Sequence, residues 1–451
     1  KMRSQARLCL FAALFALIFT VGVSAQNPAP SQTVVASVSA SEKTDDVRQQ
    51  AFDIVWRTVK DKHFDPNFGG VNWDNVREQY APRVAEVKSD GELYRLLQQM
   101  LGELHQSHFN IVPPEAIISD ETKEPPTGGI GVGVRMIAGA AVITNVEPES
   151  AAAQAGLRSG FVIKQIGEKT VAEFVALYAK SELTEAMQRL RVTRRVTNEI
   201  GGEPGSMVKI VYLDDKDQPR TATLTRNRLK GELSPRLGNF PPQYTEFESK
   251  RLPGVRNYWG YIRFNIFTTP VTEKIRAAIR EFHDADGLIF DLRGNPGGVA
   301  GIALSIANQL SDKGGMLGTM KMRTSEVKFT IFPQTNSYAG PVAILIDGLS
   351  ASTSEVFSSG MQELGRAVVV GERSAGACLP SYFQKLPTGA LFQFAIADFK
   401  TPKGVLIEGR GVIPDIESKW DRASLLAGRD AQLETAIGHM TQLRQRERAV
   451  K

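Results

Sequence analysis

The sequence contains little cysteine and little histidine. Only two cysteines occur in 451 residues, Cys9 and Cys378, and Cys9 lies in an apolar segment near the start of the chain. If that segment is removed, the single remaining cysteine cannot form an internal disulfide, so stability must come from packing. The five histidines and two cysteines have no spacing typical of a metal site. No metal and no cofactor is therefore expected.

The sequence also lacks a strong charge of one sign. Lysine and arginine number 54 and aspartate and glutamate 49, which gives a formal net charge of +5. No basic stripe is visible, so a nucleic acid partner is not expected. The composition is 42% hydrophobic and 23% charged, as in ordinary globular proteins, and the length allows two or three domains.

One long apolar run stands near the N terminus, at residues 8–23. The cations Lys1, Arg3 and Arg7 precede it, and the small residues Ser24 and Ala25 follow it. This order predicts a secretory signal peptide over residues 1–25, cleaved before Gln26. An uncleaved membrane anchor is the alternative, but the run is shorter than a typical span. We expect a periplasmic or secreted protein with no stable membrane anchor after cleavage.

The remaining sequence divides into five segments by composition and periodicity. Residues 26–45 are rich in serine, alanine and proline and predict a flexible leader. Helical apolar spacing predicts an N-terminal helical domain over residues 46–120, and residues 121–127 predict a linker. A small β-rich domain is expected over residues 127–230, in which residues 189–195 form a charged helix or loop. Residues 240–420 would form an α/β catalytic domain, and residues 421–451 a C-terminal helix.

Buried strands alternate with helices in the α/β segment. Strands are predicted at residues 287–292, 342–346 and 367–370, with helices at 300–310 and 352–364. This alternation predicts a largely parallel sheet, and functional sites in such sheets lie beyond the carboxyl ends of the strands. Two polar turns follow predicted strands there, at residues 293–298 and 347–352.

Ser352 is a candidate nucleophile because it follows a strand and begins a helix. A helix N-terminus offers free N–H groups and a positive field, which suit a serine that must stabilise an oxyanion. The alternative is a helix cap, since Ser352 and Glu355 have the spacing of a capping box.

Several motifs together make the chain resemble the C-terminal processing peptidases, a family that includes tail-specific and tricorn-core serine proteases. The resemblance runs from about residue 52 to residue 443. Its motifs are Leu101-Gly102-Glu103-Leu104 before Ser107-His108, Gly260 to Phe264, Asp291 to Gly298, Ser350 to Glu355, Gly371-Glu372-Arg373, and Glu408 to Asp415.

This resemblance implies a fold and several site residues. It implies an α/β catalytic core with a crotonase/ClpP-like ββα sheet, an N-terminal helical domain and an inserted β-rich PDZ domain. Ser352 would be the nucleophile, and the oxyanion hole would be formed by the Thr353 amide with Gly297 or Gly298. The loop formed by Gly129, Ile130, Gly131 and Val132 would bind the carboxylate of a peptide C-terminus while the peptide adds a strand.

The sequence departs from the tail-specific branch at the position of the catalytic lysine, where it has Ala377. The tricorn-core branch instead uses a Ser-His pair and a glutamate, which match Ser107, His108 and Glu408. His108 would then be the base, Glu408 would orient its imidazole, and Ser107 would support the arrangement. His105 competes with His108 for this role. Cys378 is interpreted as a small buried residue rather than a catalytic thiol.

The resemblance therefore implies a serine endopeptidase that acts through an acyl-enzyme on peptides or unfolded proteins, with activity fading below about pH 6. A catalytically inactive scaffold of the same fold is the alternative, which the absent lysine keeps open. The sequence does not indicate an oligomeric state.

Overall fold

The computed structural model describes residues 40–117, 128–179 and 183–449. The predicted signal peptide, most of the leader and the 121–127 linker lie outside these residues. Within the described part of the chain, no helix is long and apolar enough to cross a membrane.

The N-terminal segment is helical, as predicted, and ends in a short strand. Asn72 and Ser89 begin the second and third helices by accepting N–H bonds with their side chains. The first helix begins at Ala40, inside the predicted leader, because no proline or glycine interrupts the chain between residues 40 and 62. The elements are α1 (Ala40–Lys62), α2 (Trp73–Val84), α3 (Asp90–Gly102) and β1 (Asn110–Val112).

The buried faces of α1, α2 and α3 do not form a core alone. They pack against apolar residues between positions 379 and 395, including Phe392 and Phe394. The strand β1 pairs antiparallel with that same region, Ile111 opposite Phe392. The N-terminal helices are thus part of one packed body with a segment almost 300 residues away. Their description as a separate domain stays a prediction.

The inserted segment is rich in strands and has its own apolar core. The elements are β2 (Gly128–Gly129), β3 (Val132–Ile137), β4 (Ala140–Val146), α4 (Ala151–Gln154), β5 (Val162–Ile166), β6 (Lys169–Thr170), α5 (Val171–Ala179), α6 (Glu185–Ile200), β7 (Met207–Leu213), β8 (Pro219–Thr225) and β9 (Asn227–Arg228). The main sheet has the order β3-β4-β5-β7-β8, which leaves β3 at one edge. The charged stretch 189–195 is helical and belongs to the long helix α6.

The third segment has mixed α/β content. Its elements are β10 (Glu232–Leu233), β11 (Tyr244–Thr245), β12 (Phe247–Pro253), β13 (Tyr258–Phe264), α7 (Thr269–Glu281), β14 (Gly287–Asp291), α8 (Ala300–Leu310), β15 (Gly315–Met322), β16 (Glu326–Ile331), β17 (Val342–Ile346), α9 (Thr353–Glu363), β18 (Val368–Gly371), β19 (Ser381–Lys385), β20 (Leu391–Ala395), β21 (Ala397–Lys400), β22 (Ile416–Glu417), α10 (Arg422–Leu426) and α11 (Ala431–Ala449). The strands predicted for this segment and the helices predicted at residues 300–310 and 352–364 are confirmed to within one or two residues. The C-terminal helix predicted over residues 421–451 is instead two helices, α10 and α11, because Gly428 has a positive φ of 71° and ends the first of them.

The main sheet of this segment has the order β12-β13-β14-β17-β18-β22. Strands β13, β14, β17, β18 and β22 are parallel, and β12 is antiparallel to β13. Helices α7, α8 and α9 pack on one face, against side chains such as Phe290. Helix α11 packs on the other face, against side chains such as Ile289. Because both faces are covered, the central strands are continuous apolar runs, and their carboxyl ends meet at one edge.

Candidate active site

Ser352 lies at the carboxyl end of the sheet, immediately before α9, in a backbone conformation unusual for serine (φ 54°, ψ −118°). Its N–H donates to the Ala377 carbonyl oxygen (2.9 Å) and to Glu355 Oε2 (2.9 Å). The Glu355 N–H donates to the Ser352 carbonyl oxygen (2.8 Å). The backbone on both sides of the serine is therefore held, and residues with such strained φ and ψ angles cluster at functional sites.

The two polar turns that follow the predicted strands, at residues 293–298 and 347–352, are hydrogen-bonded to each other. The Asn295 carbonyl oxygen accepts the Ala351 N–H (3.1 Å) and the Ser354 hydroxyl (2.9 Å). The Ser350 hydroxyl donates to the Leu292 carbonyl oxygen (2.7 Å). These bonds join the glycine-rich turn to the serine turn at the ends of β14 and β17.

Hydrogen bonds in the two turns show which of the candidate oxyanion donors are already occupied. The Gly297 N–H donates to Asn295 Oδ1 (2.9 Å) and is therefore occupied. In the described part of the chain, the N–H groups of Gly298 and Thr353 have no acceptor. Gly297 instead provides space, because a Cβ there would lie 2.6 Å from Ser352 Cβ. Among the glycines, Gly298 is thus the better candidate donor.

His108, Ser107 and Glu408 form one hydrogen-bonded group. Ser107 Oγ donates to Glu408 Oε2 (2.9 Å) and lies 2.7 Å from His108 Nδ1. The Ser107 N–H donates to Glu408 Oε1 (2.7 Å), and the Cys378 N–H donates to Glu408 Oε2 (2.8 Å). Glu408 therefore reaches His108 through the Ser107 hydroxyl, and no direct bond between the two is present in the described residues.

This group determines which nitrogen of His108 carries the proton. The one hydroxyl proton of Ser107 is used toward Glu408, so Ser107 Oγ can only accept from His108 Nδ1–H. A neutral His108 then has its lone pair on Nε2, the tautomer that a general base requires. Burial, followed by the positive charges of Arg194 and Arg191, lowers the pKa of His108 to about 4. Burial raises the pKa of Glu408, against the hydrogen bonds that it accepts.

His108 and Ser352 are connected through residues 377 and 378. The Cys378 N–H bonds to Glu408 and its thiol lies 3.7 Å from the Ser352 carbonyl oxygen, while Ala377 accepts the Ser352 N–H. No hydrogen bond joins His108 to Ser352 in the described residues. Such bonds are often loose in a resting enzyme and tighten only when substrate is bound.

The competing residues have other environments. His105 is exposed, whereas His108 is half-buried beside Ser107. Cys378 is buried, and burial with the charges of Glu355 and Glu408 raises the pKa of its thiol well above the usual value. A thiol held protonated is a poor nucleophile, which agrees with its interpretation as a packing residue.

From the sequence, Glu355 was predicted only as a capping residue, but its carboxylate organises the loop behind the nucleophile. Besides the Ser352 N–H, Glu355 accepts the Ser374 hydroxyl (2.5 Å), the Gly376 N–H (2.8 Å) and the Ala377 N–H (3.1 Å). Burial raises the pKa of Glu355 to about 7, although these donors oppose the shift. The spacing of three residues signalled the bond to Ser352; the bonds to residues 374–377 had no local signal.

Asp347 and Arg293 stabilise the two turns through hydrogen bonds and ion pairs. Asp347 accepts the Gly294 N–H (2.9 Å), the Leu349 N–H (3.0 Å) and Arg135 Nε (2.5 Å). Arg135 belongs to β3, so this ion pair connects the inserted segment to the strand ends. Arg293 is buried and binds Asp291 and Asp430 (2.6 and 2.8 Å). The charge of Arg135 contributes to a lowered pKa of Asp347, against the effect of burial.

The predicted peptide-binding loop leads into the edge strand β3. Ile130 is buried, and its carbonyl oxygen accepts the Ala152 N–H (3.0 Å). Gly131 has φ 79°, and a Cβ there would lie 2.2 Å from Ser150 Cβ, so the turn requires glycine. Gly129 pairs with Asn227, and Val132 begins β3.

At the position of the absent lysine, Ala377 packs against apolar side chains. Ala377 is buried in a small cluster with Ala351, Ala375 and the α6 side chains Met187 and Leu190. Helix α6 thus packs against Ala351, which precedes the nucleophile, and against the loop that carries Ala375 and Ala377.

Two family models match parts of this chain. Residues 258–418 match the model of peptidase family S41, and residues 45–102 match that of the tricorn protease C1 domain. The chain is a serine peptidase with a family S41 domain. The family S41 match spans β13 to β22 and includes Ser352 and Glu408. His108 lies outside both matched ranges.

Curated relatives of this serine peptidase are carboxyl-terminal-processing proteases. One from Picosynechococcus is 26% identical over 98% of this chain and 97% of its own length. A chloroplastic C-terminal processing peptidase from Tetradesmus obliquus is 25% identical over 82% of this chain and 77% of its own length.

Solved structures show the same fold. The photosystem II D1 C-terminal processing protease superposes with a TM-score of 0.57 at 23% identity, covering 87% of this chain and 97% of that protein. Mature CPAF complexed with lactacystin gives a TM-score of 0.63 at 13% identity, covering 89% and 99%.

Proposed function

We propose that this serine peptidase is an endopeptidase that cleaves peptides or unfolded proteins with a Ser-His-Glu site in which Ser107 connects the histidine to the glutamate. The observation that carries the proposal is the hydrogen-bonded group of Glu408, Ser107 and His108. It leaves Nε2 of His108 unprotonated, and Cys378 links Glu408 to the strained Ser352 turn.

The reaction proceeds through an acyl-enzyme. Ser352 Oγ bonds to the scissile carbonyl carbon while His108 Nε2 takes the hydroxyl proton. The negative oxygen is stabilised by the N–H groups of Gly298 and Thr353. The C–N bond then breaks, and His108 returns the proton to the leaving amine. Water repeats the two steps and releases the acid.

The inserted segment fits a PDZ-like domain that recognises substrate C-termini. Its edge strand β3 has one neighbour, β4, so a peptide can pair with the other side next to α6. The loop at Gly129 to Val132 is the proposed carboxylate-binding turn. We also propose a crotonase-like catalytic core, and a periplasmic or secreted location, which rests on the predicted signal peptide.

Hydrolysis of an unfolded protein by the chain from Gln26 tests this mechanism. Ser352→Ala and His108→Ala should each lose roughly a thousandfold or more in rate, as when a triad member is removed. Glu408→Gln should lose less, since it acts through Ser107. His283→Ala is the matched control, because His283 follows α7 and has no contact with the site among the described residues. Full activity in His108→Ala would refute the histidine base, and absence of any Ser352-dependent cleavage would favour the scaffold alternative.

A further inference from the structure

Helix α6 has two faces with different neighbours. Val192, Val196 and Ile200 lie in the core of the inserted segment. Met187 and Leu190 pack instead with the alanines around the nucleophile. At 100° per residue these two sets fall on opposite sides of the helix. The second face is therefore turned toward the active site.

Arg191 and Arg194 continue the second face, since positions 187, 190, 191 and 194 form one helical stripe. No ion pair is found for either arginine in the described part of the chain. The other two arginines of α6 are paired: Arg189 with Glu185 (3.3 Å) and Arg195 with Glu199 (2.8 Å).

The charges of both arginines affect the pKa of His108. After burial, the charges of Arg194 and Arg191 are the causes that lower the pKa of His108. Arg194 itself has solvent-exposed surface. Yet the surrounding protein, with a smaller effect of Arg191, lowers the pKa of Arg194 to about 10. On the face of α6 that also carries Met187 and Leu190, two like charges thus lie near His108, and neither has a counter-ion among the described residues.

The position of His108 indicates which part of a substrate would meet these charges. In the acyl-enzyme reaction the general base later protonates the leaving amine, so His108 lies on the leaving-group side of the scissile bond. Groups beside His108 therefore face the substrate residues that follow this bond.

We propose that Arg191 and Arg194 form a subsite for a carboxylate within the first few residues after the scissile bond. The proposal rests on the function proposed above and adds a substrate class, peptides with an acidic group in the departing segment. That carboxylate is either an acidic side chain or the C-terminal carboxylate of a short tail. Arginine suits this role because its planar guanidinium binds carboxylates with two parallel hydrogen bonds.

The test compares kcat/KM for one internally quenched peptide in several forms. The reference form has neutral side chains, asparagine at the first three positions after the cleaved bond, and an amidated C-terminus. The second form has a free C-terminal carboxylate, and the others carry aspartate in place of one asparagine. The enzymes are the wild type, the double variant Arg191→Gln/Arg194→Gln, and Arg195→Gln, which removes a paired arginine from the same helix.

We expect wild type to cleave at least one carboxylate form about tenfold or more faster than the reference, as a charge-assisted hydrogen bond allows. The ratio should fall to about one in the double variant and persist in Arg195→Gln. Which form is preferred identifies the source of the carboxylate. Raising the salt from about 0.05 to about 0.5 M should lower the ratio of the two kcat/KM values in the wild-type enzyme, because salt screens the attraction between the arginines and the carboxylate.

A wild-type ratio of one, or a ratio unchanged in a double variant that folds normally by circular dichroism, would overturn the subsite. If the double variant does not fold, the subsite would be overturned by a wild-type ratio of carboxylate form to reference form that does not change with salt. If cleavage survives in His108→Ala, the proposed mechanism fails. Cleavage that requires Ser352 and His108 but ignores carboxylates refutes this inference alone.

Discussion

At the scale of single residues, the site consists of side chains whose usual behaviour is changed by neighbours. Ser352 has a backbone conformation that costs about 1–3 kcal/mol in proteins, and its N–H is held by Ala377 and Glu355. His108, too, has a positive φ of 61°. The contacts around both residues must offset this strain, which is the usual condition of a preorganised site.

The pH dependence of activity is predicted by the environment of His108. Because its pKa is lowered to about 4, the imidazole stays neutral well below pH 6. The acid limb of kcat/KM should therefore lie between about pH 4 and 5, below the limit of about pH 6 expected for an ordinary histidine. Arg194→Gln should raise the pKa of this limb only part of the way toward that of an ordinary histidine, because burial is the larger cause of the lowered pKa.

A pH–rate profile of wild type and Arg194→Gln checks this, with Arg195→Gln as control. An acid limb that does not move in Arg194→Gln would be assigned to a group other than His108. The same shift affects folding. Since the pKa of His108 is lower in the folded than in the unfolded chain, its contribution to stability is complete above about pH 6.5. That contribution is lost as the pH falls toward 4.

At the scale of elements, α9 and the loop after β18 are joined by the Glu355 carboxylate. We predict that Glu355→Gln destabilises the protein by about 1–3 kcal/mol, because the new amide places N–H donors against buried N–H donors. Activity should also fall, since the loop that contacts Ser352 is loosened. Urea unfolding and peptide hydrolysis measure the two effects.

Glu273→Gln makes the same charge change on the exposed surface of α7 and should alter neither quantity. Wild-type stability and rate in Glu355→Gln would show that the buried carboxylate does not organise the loop.

The contact between α6 and Ala377 predicts the result of restoring the lysine of the tail-specific branch. Ala377→Lys would push a long charged side chain into the space filled by Met187 and Leu190. We expect a loss of about 1–3 kcal/mol in the free energy of unfolding and reduced activity. Ala423→Lys, on the exposed surface of α10, is the control for urea unfolding. Increased activity in Ala377→Lys, with an alkaline optimum, would contradict the Ser-His assignment.

At the scale of the whole molecule, local patterns predicted the elements better than the contacts between them. The helix at residues 300–310 follows from apolar periodicity. The strands at 287, 342 and 368 follow from continuous apolar runs, because both faces of the sheet are covered. The meeting of the turns at Asn295 and Ser350 follows from parallel topology.

The contacts between residues far apart in the chain were not indicated by any local sequence pattern. The bonds of Ser107 to Glu408 span 301 residues, and the N-terminal helices share a core with residues 379–395. The family resemblance suggested the residues of the site, but not that Ser107 stands between His108 and Glu408. Arg191 and Arg194 were part of a charged stretch, and only the position of α6 brings them to the active site.

The most direct test of the account is the rate at which a fluorophosphonate probe labels the chain from Gln26, since only an activated serine reacts with it. We predict rapid labelling of wild type at pH 7, no labelling of Ser352→Ala, and labelling slowed roughly a hundredfold or more in His108→Ala, the range that a general base contributes. Labelling of His108→Ala at the wild-type rate, or no labelling of wild type, would contradict a serine activated by His108.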